Sequence, residues 1–232
     1  MDHSTVVSII FLVIAIVVLM RLGSVLGRRT GNEPSPYDSP VNRTGSPAGR
    51  DNVVPLPGRA QNDALTGDQV DLENLARFAD PDTPLFETLR EISTRDRNFD
   101  PAHFLSGAKM AYEMIVTAFA EGNKMQLKSL LEADVYDGFV SAIKDRDSRG
   151  ENVDSTFVGI ESAKLADAEL EGSVVRLSVR FVSELITATR DKDGKVIDGD
   201  PESSQTVRDV WTFTRDLKAR DPNWKLAATE AV

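Results

Sequence analysis

The sequence predicts an α+β fold, on three observations. Between residues 68 and 146 apolar side chains recur at helical spacing, and from Asn152 onward they recur every second residue, the period of a strand. The helical stretch is punctuated by Thr83-Pro84 and Asp100-Pro101, each an N-cap followed by proline at the first helical position. The strand region is punctuated by Glu171-Gly172 and Asp193-Gly194, which read as hairpin turns. Helices first and antiparallel strands afterwards is the order of an α+β domain.

The elements follow in order. Val6 to Met20 is apolar except for Ser8, and the uncharged Leu22 to Gly27 follow Arg21. With Arg21 snorkelling to the head groups, Val6 to Leu26 is long enough to span a bilayer, which takes about 20 residues. Residues 1–27 are therefore expected to be a membrane anchor carried by Val6, Ile10, Phe11, Ile14, Val18 and Met20. A cleaved signal peptide needs a basic start and a small-x-small cleavage site, and neither is there. Arg21, Arg28 and Arg29 all follow the apolar run, so the bulk of the chain is expected on the cytoplasmic side, or in an organelle matrix.

Residues 28–67 read as a disordered linker. Six of the eleven prolines fall here among Gly, Ser, Asn and Asp, with too few large apolar residues to offset chain entropy. The linker reads as a tether, with Val53 to Pro57 as the one stretch apolar enough to seize a partner. Residues 68–98 form a helical lead-in: a short helix over Asp68 to Ala79, then one over Thr83 to Asp96 with Leu85, Leu89 and Ile92 on one stripe. That second helix is expected to pack on its own domain rather than on lipid, because its charges nearly cancel.

Residues 99–232 form the main domain. Asp100 to Glu121 is the best helix, with Phe104, Ala108, Ala111, Tyr112, Ile115, Val116 and Phe119 on one face. Lys124 to Leu131 and Ala133 to Arg146 make two more. Phe157 to Leu170, Ser173 to Arg190, Gln205 to Arg215 and Asn223 to Thr229 read as strands. The last two hold both tryptophans and form a hairpin closed by Asp221-Pro222-Asn223. Val207, Asp209, Trp211 and Phe213 share its inner face, and Trp224, Leu226 and Ala228 are expected to face inward from the second strand.

Composition narrows the chemistry. There is no cysteine, so disulfides and thiolate metal sites are excluded, and only His3 and His103 are available for imidazole chemistry. Residues 1–60 hold six arginines against four acids, a net of +2, which leaves −12 of the total −10 for the rest. A domain that acidic is a poor nucleic-acid binder. Asp191 to Asp200 holds four aspartates but has Lys195 and Val196 where a calcium loop needs a ligand and a glycine, so an exposed hairpin loop is expected and no metal. Asp209 among aromatics is the one residue with the makings of a buried base, and His103 is its only imidazole candidate; the plain alternative is an Asp209–Arg pair at a sheet edge. No nucleophile elbow, phosphate loop or dinucleotide fingerprint occurs, so neither an enzyme nor a cofactor is expected.

The wording is more specific than the pattern. Gly107-Ala-Lys-Met-Ala-Tyr-Glu-Met-Ile-Val-Thr-Ala-Phe-Ala-Glu-Gly122, Leu127-Lys-Ser-Leu-Leu131, Phe157-Val-Gly-Ile160, Ala188-Thr-Arg-Asp191, Asp198-Gly-Asp-Pro201, Asp209-Val-Trp-Thr-Phe213 and Arg220-Asp-Pro-Asn-Trp-Lys-Leu226 together resemble the TimA family. These are bacterial relatives of the mitochondrial import-motor subunit Tim44. The resemblance implies a cone-shaped, nuclear-transport-factor-two-like domain of helices on a curved antiparallel sheet, with an apolar pocket to which Tyr112, Phe119, Trp211, Phe213 and Trp224 would contribute. It implies a non-enzymatic adaptor at the inner face of the bacterial inner membrane, single-pass, with a cytoplasmic domain. Its protein partner would be a translocase, a DnaK-type chaperone or a ribosome. The chain departs from the mitochondrial pattern in carrying its own anchor and lacking the long charged N-terminal region that recruits the chaperone. A lipid- or small-molecule-binding module using the same pocket is the alternative.

Overall fold

A computed structural model describes residues 70–232; the expected anchor at 1–27 and linker at 28–67 lie outside the described residues. Among the described residues five helices precede five strands: α1 Leu72–Leu75, α2 Pro84–Arg95, α3 Pro101–Ala120, α4 Lys124–Leu130, α5 Ala133–Ser148, β1 Asn152–Glu171, β2 Val174–Arg190, β3 Val196–Gly199, β4 Gln205–Asp216 and β5 Lys225–Ala231. The sheet is antiparallel in the order β1-β2-β4-β5, with β3 paired to the far end of β2. This is an α+β domain with helices packed on a curved antiparallel sheet. Among the described residues no helix is long and apolar enough to cross a membrane, and no cluster of acidic or histidine side chains is arranged to hold a metal.

The helix starts are where the caps place them. Thr83 Oγ1 accepts from the Phe86 amide and Asp100 Oδ1 from the Ala102 amide, each followed by proline. On α2 the buried stripe is Phe86, Leu89 and Ile92, with Leu85 only half-buried, one step around from the expected stripe. Those side chains join the core of the domain, as expected of a helix that packs on its own sheet. The connector after α4 holds the last strand: the Glu132 amide donates to Leu226 O at 2.9 Å, and Leu131 bridges Leu226. This closes part of an otherwise open sheet edge.

Curvature comes from β1. Its register with β2 slips between Phe157 and Gly159, between Ile160 and Ser162, and between Leu165 and Asp167. Each slip inserts an unpaired residue that bends the strand. The inward residues of β1 are thus Phe157, Ile160, Ala163, Leu165 and Ala168, opposite Leu185, Ser183, Phe181, Val179 and Leu177 of β2. The two long strands join through Gly172-Ser173, one residue later than expected, with Gly172 at φ +62°, a conformation that costs glycine little.

Two expectations need correction. Asp191 to Asp200 is not all loop. Asp191 Oδ1 accepts from the amides of Asp193 and Lys195, which makes the tight turn, and Val196–Gly199 then pairs back on β2 as β3. In the last hairpin, Ala228 does not face inward. A bulge in β5, opposite Thr212 and Phe213, sets Thr212 opposite Ala228 and Phe213 opposite Leu226, so Ala227 is extra and Thr229 comes in opposite Trp211. Leu226 and Thr229 are buried while Ala228 is half-exposed.

Candidate functional site

The inner face of the sheet meets α3, and a group of aromatic residues gathers there. Phe104, Ala108, Tyr112 and Ile115 lie on one stripe of α3 at helical spacing, all buried. Trp224 packs on Phe104 with ring centres 4.8 Å apart, Phe104 on Phe213 at 6.0 Å, Phe213 on Trp211 at 6.4 Å and Trp211 on Tyr112 at 4.4 Å. Phe181 closes the group, 4.6 Å from Tyr112. Four of the five expected pocket residues, Tyr112, Trp211, Phe213 and Trp224, therefore lie in one continuous row, with Phe104 as the link between Trp224 and Phe213. Tyr112, Trp211 and Phe213 are buried, whereas Trp224 is half-buried at the rim.

Phe119 is not in this row. About two turns beyond Tyr112, it packs edge-on against Phe139 of α5 at 5.0 Å, with the Arg146 guanidinium 5.8 Å from its ring centre. Arg146 also donates to Phe119 O, so a cation sits at the negative end of α3. Burial pulls the Arg146 guanidinium below its usual range, against the pull of Asp147 and Glu151.

One polar cluster interrupts the apolar row. The Tyr112 hydroxyl donates to Asp209 Oδ2 at 2.9 Å and lies 2.8 Å from Ser183 Oγ. All three residues are buried. Burial pushes the Asp209 carboxyl up to about 6, only partly opposed by the Tyr112 hydrogen bond. Burial, and after it the charge of Asp209, pushes the Tyr112 phenol far above its usual range. The expected partners of Asp209 are not there. His103 is exposed on α3, and the carboxyl takes its hydrogen bond from the Tyr112 hydroxyl in place of an arginine. Sequence reasoning missed Tyr112 and Ser183 as partners because they lie 97 and, from Tyr112 to Ser183, 71 residues away along the chain. The signal that could have found Ser183 is the alternation of β2, which carries it on the inner face as a lone hydroxyl among Val179, Phe181 and Leu185.

A second unforeseen group ties α2 to the sheet. Arg215 at the end of β4 pairs with Asp96, the C-cap of α2, and its guanidinium lies 4.8 Å from the centre of the Trp224 ring. Both side chains of the pair are mostly buried, at 14% and 19% exposure. The rim of the aromatic row is thus fixed by charge as well as by packing.

Residues 85–231 match the model of the Tim44-like domain. Among known proteins, the chain is 26% identical over 144 residues to a probable mitochondrial import inner membrane translocase subunit, tin-44, of Caenorhabditis elegans, covering 60% of this chain and 34% of that one. It is 27% identical over 179 residues to the mouse mitochondrial import inner membrane translocase subunit TIM44, covering 76% of this chain and 38% of that one. An uncharacterized protein of Rickettsia prowazekii is 24% identical over 144 residues, covering 62% of this chain and 58% of that one. The chain thus spans roughly a third of the length of the two mitochondrial relatives. The described helices and sheet, from α2 to β5, are the part so matched, and the chain belongs to the Tim44-like domain family.

Proposed function

We propose that the chain is a membrane-anchored, non-enzymatic adaptor that holds a protein partner at the inner face of a bacterial membrane. The observation that carries this reading is the Tim44-like match over residues 85–231, shared with two subunits named for inner-membrane protein import. The sequence adds the rest. Val6 to Leu26 serves as the single-pass anchor, the arginines after it keep the domain cytoplasmic, and the proline-rich linker gives it reach. A translocase, a DnaK-type chaperone or a ribosome is the partner to be expected. The match to the mitochondrial relatives covers only part of their length.

The chemistry of the site fits a binding role better than a catalytic one. Asp209 has its carboxylate engaged by Tyr112 inside the core, and His103, the only imidazole in the domain, is exposed away from it. The aromatic row serves the adaptor as the rigid floor on which α3 is mounted. In the alternative reading, the bend of β1 and the half-buried Phe157 and Ile160 open the inner face into a cone-type pocket for a lipid chain.

Crosslinking in intact bacterial membranes tests the reading. An anchored, functional chain is expected to capture a translocase, chaperone or ribosomal protein above controls, and a variant lacking residues 1–27 is expected to lose it. Capture of none of these by the functional full chain would overturn the adaptor role. A lipid that co-purifies stoichiometrically with the full chain and is displaced by Phe157→Trp would favour the pocket instead.

A further inference from the structure

We propose that Asp209, Tyr112 and Ser183 form a proton-binding site that sets how tightly α3 is held on the sheet. The three groups come from three elements, α3, β2 and β4, and make the polar contact between helix and sheet in the middle of an otherwise apolar interface. The surroundings of the carboxyl hold no compensating charge. From β2 it faces Phe181 and Ser183, from its own strand Val207 and Trp211, from α3 Tyr112, and across β5 Ala231 and Thr229. Tyr112 is the only titratable side chain in that set. Arg180 and Arg208 occupy positions of the opposite alternation and are exposed, as is Val232 beyond Ala231.

The hydrogen bonds allow two proton arrangements. With Asp209 ionised, Tyr112 donates to Oδ2 and Ser183 donates to the Tyr112 oxygen. With Asp209 protonated, the carboxylic acid donates to the Tyr112 oxygen and the Tyr112 hydroxyl turns to Ser183. Both arrangements satisfy the buried oxygens, but only the second leaves no bare charge in the core. The helix is therefore held more firmly when the site carries its proton.

The sign follows from burial. The folded carboxyl is raised to about 6, above its unfolded value, so the folded state binds the extra proton. The stabilisation is complete below the unfolded value, near pH 4, and is lost as pH rises through about 6. This is the reverse of an ion-paired aspartate.

The test uses the full purified chain in detergent, unfolded in urea and followed by tryptophan fluorescence, since Trp211 lies 4.4 Å from Tyr112. Relative to Asp209→Asn, the wild-type unfolding constant is expected to rise by up to about tenfold per pH unit from about pH 4 to about pH 6 and then run parallel. Tyr112→Phe removes the donor to the carboxylate and is expected to move that break to higher pH, which loss of packing alone would not do. Amide exchange in α3, corrected for its intrinsic pH dependence, is expected to be faster at pH 8 than at pH 5 in wild type and equal in Asp209→Asn. If Asp209→Asn does not fold, the infrared carbonyl band of a protonated carboxyl in wild type decides, present near pH 5 and gone by pH 8. Parallel curves throughout, an unmoved break in Tyr112→Phe, or absence of that band at pH 5 overturns the proposal. None of these outcomes bears on the adaptor role, which the crosslinking tests separately.

Discussion

Replacing Arg215 by methionine separates the forces that fix α2 to the sheet. The substitution keeps most of the aliphatic stem and removes the guanidinium, which pairs with Asp96 and stacks on Trp224 at 4.8 Å. Loss of a hydrogen bond between charged groups costs about 1.5–3 kcal/mol, and loss of the cation–π contact about 1 kcal/mol. Asp96 is then left alone in a site where its side chain is only 19% exposed, which adds to the cost, though less than in a sealed core. Against this, Arg215 Nε is buried without a partner, and removing it returns about 1 kcal/mol. The net expectation is a destabilisation of about 2–3 kcal/mol, with about 1–2 kcal/mol for Asp96→Asn, which retains an acceptor oxygen. A double-mutant cycle by chemical denaturation isolates the pair, and a coupling of about 1–2 kcal/mol is expected. If the two substitutions added to within about 0.3 kcal/mol, the pair would be a surface contact of no consequence and the reasoning from burial would be refuted.

Other outcomes are expected from the same packing. Trp211→Ala, at a site 5% exposed between Tyr112 and Phe181, should destabilise by about 3–5 kcal/mol; a folded variant of wild-type stability that bound its partner poorly would instead make Trp211 a contact residue. Gly199→Ala should detach β3, because a Cβ there would stand 2.1 Å from Thr187 O and the residue holds φ +75°; a cost of about 1–3 kcal/mol with loss of exchange protection at Asp198 and Asp200 is expected, and an unchanged protection pattern would count against it.

The behaviour of individual elements shows what was legible in the sequence. The caps at Thr83 and Asp100 are local: a side chain bonds an amide two or three residues away, so the helix starts could be read directly. The stripe of α3 was legible for the same reason, since its period is a property of one helix. Strand β1 was harder. Its bulges space the inward residues Phe157, Ile160 and Ala163 three apart, and that spacing hides the period of two; the strand itself starts at Asn152, where the change of period begins, five residues before the expected start at Phe157. The same effect at Ala227 exchanged Ala228 for Thr229 on the inner face of β5. β3 escaped notice because four residues carry too little pattern, and its pairing depends on a glycine that lets the chain pass close to Thr187.

The sequence by itself determined the class of fold, the order of its elements and, through the wording of seven short stretches, the family, because each of these resides in contiguous residues. It also put Trp211 and Phe213 on one face with Asp209, since alternation along an unbulged strand is strict. Only the tertiary structure decided what meets that face. Phe104 links Trp224 to Phe213, Tyr112 rather than His103 answers Asp209, Phe119 turns to α5, and Arg215 reaches across to Asp96. Those partners lie as far apart as Arg215 and Asp96, 119 residues, or Phe104 and Trp224, one residue more, and the fit of helix to sheet that brings them together is set by burying one shared core, which no local pattern encodes.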